Sequence, residues 1–173
     1  MENKKFQVIP SLSNIDWKGR KVTGAHNGTI AIKDGEFSLS GDKLTGGKFI
    51  VDTTSITVLD ITDPATNAQF AGHLASGDFF ASAEYPEAIF EITDVRDNHI
   101  EGNLTIKGIM RTVGFDADIH ITKDILTAMG RMIIDRTQFD IKFRSGNFFK
   151  DLGDTLIYNE FELNVNITAK AAA

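Results

Sequence analysis

The chain has 173 residues, about the length of one domain, and is long enough to bury a core without staples. It has no cysteine, which excludes a disulfide framework, a thiolate nucleophile and a Cys-based metal site. Its 24 acidic and 18 basic residues give a net charge of −6, scattered rather than in runs, which argues against nucleic acid as a partner.

No stretch reaches the roughly 18 consecutive apolar residues that span a bilayer as a helix. Met1 to Pro10 lacks the apolar run of a signal peptide, so the chain as written is expected to be cytoplasmic. Ile15 and Trp17 then alternate with polar neighbours. Val22, Gly24, His26, Gly28, Ile30 and Ile32 fall on one face of a strand, with Lys21, Thr23, Asn27 and Thr29 opposite. Lys33-Asp34-Gly35 reads as a turn, Phe37 and Leu39 restart a strand, and Ser40-Gly41-Asp42 turns again. Leu44 to Val51 follows, where Gly46-Gly47 suggests a bulge or sharp bend.

Asp63-Pro64 breaks the rhythm as an N-cap followed by proline at the first helical position. Phe70, Ala71 and Leu74 recur at helical spacing and Gly77 is a stop, which predicts one helix over about 64–76. Strand alternation resumes at Ala88, Phe90 and Ile92, and Arg96-Asp97-Asn98 turns. Ile100, Gly102, Leu104 and Ile106 alternate up to a break at Lys107-Gly108. Val113, Phe115, Ala117, Ile119 and Ile121 form the longest clean run. Leu126 to Ile134, then Phe139, Ile141 and Phe143, then Phe161 to Ile167 complete the pattern. The sum is roughly eight or nine short strands and one helix in a single all-β domain, residues 1–173.

One apolar face per strand fits a sheet dry inside and wet outside, hence an antiparallel barrel or a two-sheet sandwich. A barrel removes exposed edges, and at about eight strands it either fills with side chains or holds one small ligand. Gly24, Gly28, Gly102 and Gly130 on the apolar face either relieve crowding or line a cavity.

Ile15-Asp16-Trp17-Lys18-Gly19 and Gly24-Ala25-His26-Asn27-Gly28-Thr29 resemble the opening of the bacterial YceI-like family. So does Gly46-Gly47-Lys48-Phe49-Ile50-Val51-Asp52. Gly72-His73-Leu74-Ala75-Ser76-Gly77-Asp78-Phe79-Phe80 looks like its most diagnostic stretch. Tyr85-Pro86-Glu87-Ala88-Ile89-Phe90, Gly102-Asn103-Leu104-Thr105-Ile106-Lys107-Gly108 and Leu152-Gly153-Asp154 follow in order. The resemblance implies a lipocalin-like antiparallel barrel with a helical segment near its mouth. It implies binding of a polyisoprenoid, such as a prenyl diphosphate or a prenylated quinone, as carrier or reservoir. Many members carry a signal peptide. This sequence departs there, so a periplasmic location is expected only if a leader has been removed.

Simple energetics agrees with lipid binding. A buried methylene is worth roughly 0.8 kcal/mol, so a five-carbon isoprene unit supplies about 4 kcal/mol gross. An apolar barrel therefore needs no special polar chemistry to hold such a chain. The residues expected to line the barrel or its mouth are Trp17, His26, Ile30, Phe49, Leu74, Phe79, Phe80, Phe90, Leu104, Phe115, Met132, Phe143 and Phe149.

Polar candidates are few. His26 is either a core histidine or a contact to a ligand head group. His73, near Asp78, is expected to tie helix to barrel, Trp17 to form a floor, and Phe148-Phe149 to form a flap or to pack against the helix. One of Arg111, Arg131, Arg136 and Arg144 would pair with a diphosphate at the mouth. Asp60 and Asp63 are spaced like part of a calcium loop whose glycine and later glutamate are missing. No HExxH pair, phosphate loop, nucleophile elbow or carboxylate pair is present, so no catalytic residue, metal or cofactor is expected. An isomerase or cyclase acting on an apolar substrate, and a filled barrel binding a protein partner, are the competing readings. A symmetric homodimer is the default assembly.

Overall fold

The structure is a computed structural model that describes residues 3–146, 152 and 156–172. Nine strands form one antiparallel sheet: β1 (Asn3–Val8), β2 (Asn14–Lys21), β3 (Gly24–Ser40), β4 (Lys43–Asp52), β5 (Glu87–Arg96), β6 (His99–Ile106), β7 (Ile109–Thr122), β8 (Ile125–Asp135) and β9 (Ile157–Ala171). One helix, α1 (Pro64–Ala75), lies between β4 and β5. The order β3-β2-β9-β8-β7-β6-β5-β4 closes on itself through the β3–β4 pairing, so the sheet is a barrel.

β1 and β2 together make one stave. β2 pairs with the first half of β3 and with β9 up to Asn166, while β1 pairs with the second half of β3 and with Ala169 to Ala171. A 3-10 turn at Pro10–Leu12 separates them, where proline supplies no ladder N–H. β1 is absent from the sequence expectation, although Phe6 and Val8, both buried, alternate with Lys5 and Gln7.

Two expectations are corrected. Lys33-Asp34-Gly35 is not a turn: β3 runs through it as one strand, and the register shifts between Ile32 and Asp34, which makes Lys33 a bulge. Asp34 accepts there from the Gly35 N–H at 2.8 Å and from the Gln7 amide at 2.7 Å, so turn-like residues serve a bulge. Phe139, Ile141 and Phe143 form no strand either. Arg136–Phe139 is a 3-10 turn whose N-cap Asp135 accepts from the Thr137 N–H, and irregular chain follows it. This segment covers a gap in the wall. β7 and β8 pair over Ala117–Thr122 and Ile125–Gly130, and the 3-10 turn packs on β7 beyond that ladder.

The helix forms as its start signal predicts. Asp63 accepts from the N–H and the hydroxyl of Thr66, and Pro64 occupies the first helical position. It ends at Ala75 rather than 76, because the Ser76 N–H turns back to the His73 carbonyl.

The barrel interior has two halves. The end bearing the β3–β4, β5–β6 and β7–β8 turns is packed solid around Phe6, Leu39, Leu126 and Ala169, all 2% exposed or less. A stack of rings crosses the middle: Phe37 and Phe49 at 4.8 Å between centroids, Phe49 and Phe90 at 6.5 Å, Phe90 and Phe115 at 5.8 Å. The opposite end, roofed by α1, is hollow.

Candidate functional site

A cavity of about 330 Å³ occupies the hollow half. That volume lies near the lower end of small-ligand sites, which run from roughly 300 to 1,000 Å³. Its walls are the inward residues at the mouth ends of the strands: Ile15 and Trp17 on β2, Ile30 on β3, Val51 on β4, Ala88 on β5 and Leu104 on β6. Phe161 and Leu163 complete the wall from β9. Phe70, His73 and Leu74 of α1, with Phe79 and Phe80 after it, form the roof.

Of the thirteen expected residues, Trp17, His26, Ile30, Leu74, Phe79, Phe80, Leu104 and Phe143 line this cavity. Phe49, Phe90, Phe115 and Met132 do not. Phe49, Phe90 and Phe115 belong to the ring stack that closes off the filled half, while Met132 is buried opposite Leu163, beside the cavity wall but not part of its lining. Phe149 lies outside the described residues. Trp17 is a wall residue near the roof rather than a floor: its indole N–H donates to the Thr57 carbonyl at 2.9 Å and its ring faces Phe70.

Residues 57 to 60 run alongside β3 inside the mouth. The Thr57 N–H donates to the Thr29 carbonyl at 2.8 Å and the Leu59 N–H to the Asn27 carbonyl at 2.9 Å. Gly28 permits this approach, since the Thr57 carbonyl sits where a Cβ would project. Gly102 and Gly130 instead seat the rings of Phe90 and Phe115. Gly28, Gly102 and Gly130 therefore relieve crowding, whereas Gly24 is exposed at the start of β3 with nothing within 4 Å of where a Cβ would stand.

His26 Nδ1 lies 2.7 Å from an Asp60 carboxylate oxygen, and the Asn27 N–H donates to the other at 3.1 Å. Burial pushes the Asp60 carboxyl up, but the Asn27 and His26 hydrogen bonds outweigh it and hold it below the usual carboxylate range. Asp60 braces the mouth and Asp63 caps the helix. Among the described residues no cluster of three or more His, Asp or Glu groups gathers to hold a metal.

His73 does not hydrogen-bond to the barrel. Its Nε2 lies 3.0 Å from Asp78, in the segment after the helix, and its ring packs edge-on against Phe79 and Phe143. His99, far from the cavity at a turn, sits 2.9 Å from Asp116, a contact that raises its pKa.

Of the four arginines weighed above, Arg136 and Arg144 reach the cavity, while Arg111 and Arg131 do not. Arg136 is 4% exposed. It donates from Nε to the Tyr158 carbonyl at 3.0 Å, from Nη1 to Ile141 at 2.9 Å and from Nη2 to Ile157 at 3.0 Å. Burial pushes its pKa down to about 10, so it stays charged at neutral pH. Arg20 and Lys21 from β2 and Glu160 from β9 also border the cavity. Arg20 is ion-paired with Glu162 at 3.3 Å, which leaves Lys21, Arg136 and Arg144 as the cations at the mouth of a chain whose net charge is −6.

Sequence reasoning passes over Val51, Ala88, Ile106, Phe161 and Leu163 as lining residues, although strand alternation supplies the signal for each. Nothing local marks Ile141 or the burial of Arg136, which depend on how the β8–β9 connection folds back.

Comparison with known proteins gives a consistent picture. A family model described as the YceI-like domain matches residues 6–169. A UPF0312 protein of Vibrio parahaemolyticus is 32% identical over 114 residues, covering 60% of each chain. A UPF0312 protein of Staphylococcus aureus is 36% identical over 64 residues, covering 37% of each. The matched stretches span less than two thirds of these relatives' own lengths. Burkholderia cenocepacia BcnA superposes with a TM-score of 0.69 at 20% identity, covering 94% of this chain and 99% of that one. A polyisoprenoid binding domain from Saccharophagus degradans, implicated in plant cell wall breakdown, superposes with a TM-score of 0.73 at 11% identity, covering 96% and 98%. At these identities the structural likeness is one of fold. From Phe6 on β1 to Ala169 on β9, nearly the whole closed barrel falls within the family match, and the chain belongs to the YceI-like family.

Proposed function

We propose that this barrel binds an apolar isoprenoid-type lipid, a prenyl diphosphate or a prenylated quinone, and serves as its carrier or reservoir. The observation that carries the reading is the apolar cavity under α1, walled by Trp17, Ile30, Leu104 and Phe161. The polyisoprenoid binding domain of similar fold supports the same class of ligand. Burying a hydrocarbon tail there gains roughly 0.8 kcal/mol per methylene before ordering costs. The positive charges of Lys21, Arg136 and Arg144 suit a diphosphate at the mouth.

An enzyme reading lacks support in the polar groups of the cavity. Asp60, beside His26, also accepts from the Asn27 backbone, and Asp78, beside His73, lies on the segment after the helix.

The test is extraction of the purified protein into organic solvent, mass spectrometry, and rebinding of the recovered lipid to stripped protein. A prenyl lipid recovered and released unchanged supports a carrier. Conversion of that lipid by the stripped protein favours an enzyme. Recovery of no lipid, together with no binding of added prenyl lipids, overturns the proposal.

A further inference from the structure

We propose that the phenylalanine stack across the middle of the barrel limits tail length. This chain then accommodates roughly ten to fifteen carbons, two to three isoprene units, and encloses no longer tail. The proposal rests on the lipid reading above and adds the size of the ligand to it.

On β4, β5 and β6 the cavity stops at the ring stack. On β4 its deepest wall residue is Val51, on β5 Ala88 and on β6 Leu104. The next inward residues along those strands are Phe49, Phe90 and Gly102. Phe49 and Phe90 lie nearly parallel, 26° apart, and Phe37 and Phe115 abut them on either side.

Each ring is fitted to a seat. A Cβ at Gly102 would stand 2.6 Å from Phe90 Cζ, one at Gly130 2.8 Å from Phe115 Cε2, and one at Gly35 2.7 Å from Phe49 Cδ1. The rings thus occupy space that any other residue would deny them, and beneath them Leu39 and Leu126 are 2% and 0% exposed. A tail descending past Ala88 would have to displace close-packed rings.

Volume gives the count. At about 30 Å³ per methylene-sized group, the share of a water in the liquid, 330 Å³ holds on the order of eleven carbons. The open mouth lets a third unit lie partly under the roof. An eight-unit tail needs on the order of 1,200 Å³ by the same measure.

The experiment titrates stripped protein with neutral prenyl alcohols of two, three, four and eight units, delivered from a cyclodextrin, and follows the emission of Trp17, the one tryptophan. Neutral alcohols isolate the tail from the cationic rim. Affinity is expected to rise at least about tenfold from two units to three, the worth of about two further methylenes. It then levels off, with four and eight units within about threefold of three.

Two variants move the limit in opposite directions. Ala88→Leu raises the floor and shifts the plateau to two units. Phe90→Leu lowers the floor and extends the rise to four. Because Phe90→Leu risks poor folding, the native series and Ala88→Leu decide the matter without it. Native affinity that keeps rising to eight units overturns the limit and leaves the lipid reading standing. A plateau that neither variant moves overturns the role of the stack. Absence of binding at every length overturns both proposals.

Discussion

Arg136 carries a positive charge into the wall of the cavity, where it is 4% exposed. Burying a guanidinium costs several kcal/mol unless its N–H groups are satisfied, and here three backbone carbonyls satisfy them. The same bonds fasten the end of β8 to the start of β9. Arg136→Met should leave three carbonyls unpaired and lower stability by about 2–4 kcal/mol, measured by urea unfolding. On the folded fraction it should weaken binding of a prenyl diphosphate at least about tenfold more than binding of the matching alcohol. Equal loss for both ligands would remove Arg136 from the head-group site. Gly102 offers a complementary case. Gly102→Ala would press on the Phe90 ring and on the Glu91 carbonyl, and overpacking of this kind costs about 1–3 kcal/mol, read as a drop in melting temperature. The sequence marks both residues without revealing either role. Arg136 is one of several scattered arginines, and its acceptors at 141, 157 and 158 meet it only after the β8–β9 connection folds back. His26 is legible because strand alternation points it inward. Its partner Asp60 is not, because 34 residues separate them and Gly28 alone lets their segments run side by side.

α1 roofs the cavity through Phe70, His73 and Leu74. Two carboxylates hold it: Asp63 caps its N-terminus, and Asp60 ties the preceding loop to β3. Thr66 hydrogen bonds hold the Asp63 carboxyl below its usual range. At Asp60 burial acts upward and the Asn27 and His26 bonds prevail. A carboxylate whose folded pKa is depressed contributes stability that is complete above its unfolded value and lost as pH falls through the folded one. The brace is therefore intact at neutral pH and fails below about pH 4. Bound lipid should leave faster as pH falls through that range, measured by stopped-flow Trp17 emission. Asp60→Asn should release it faster at neutral pH as well. A release rate independent of pH down to acid unfolding would detach α1 from gating. The helix itself is written plainly in Asp63-Pro64 and the Phe70–Leu74 spacing. Other elements are less so. Lys33-Asp34-Gly35 has the chemistry of a turn, yet long-range pairing with β4 carries β3 straight through it as a bulge. Phe139 and Ile141 alternate like a strand, but a 3-10 turn returning to the core also buries every second residue.

Taken as a whole, the molecule is a barrel that is solid at one end and hollow at the other. The closed all-β architecture follows from the number of alternating runs, which only a barrel or a sandwich accommodates. The division into halves does not, because the same alternation of inward residues serves a filled and an empty interior. What separates them is where phenylalanines fall opposite glycines, a cross-strand matter set by register. Hydrogen exchange should show this division. Amides around Leu39, Leu126 and Ala169 should open only with global unfolding, whereas α1 and the mouth end of β2 should open locally. Prenyl ligand at about 100 times its dissociation constant should stabilise the protein by about 2.7 kcal/mol and slow exchange chiefly in the hollow half. Uniform slowing throughout would contradict the division. The two-piece first stave gives the wall a defined response to mechanical load. Tension on the N-terminus would peel β1 from β3 and β9 pair by pair, like a zip. The tear would arrest at Pro10, where β2 starts a ladder of its own. Ile15 and Trp17 would stay in place beyond the arrest, so a tugged molecule would lose its solid end first and keep the wall of its hollow end.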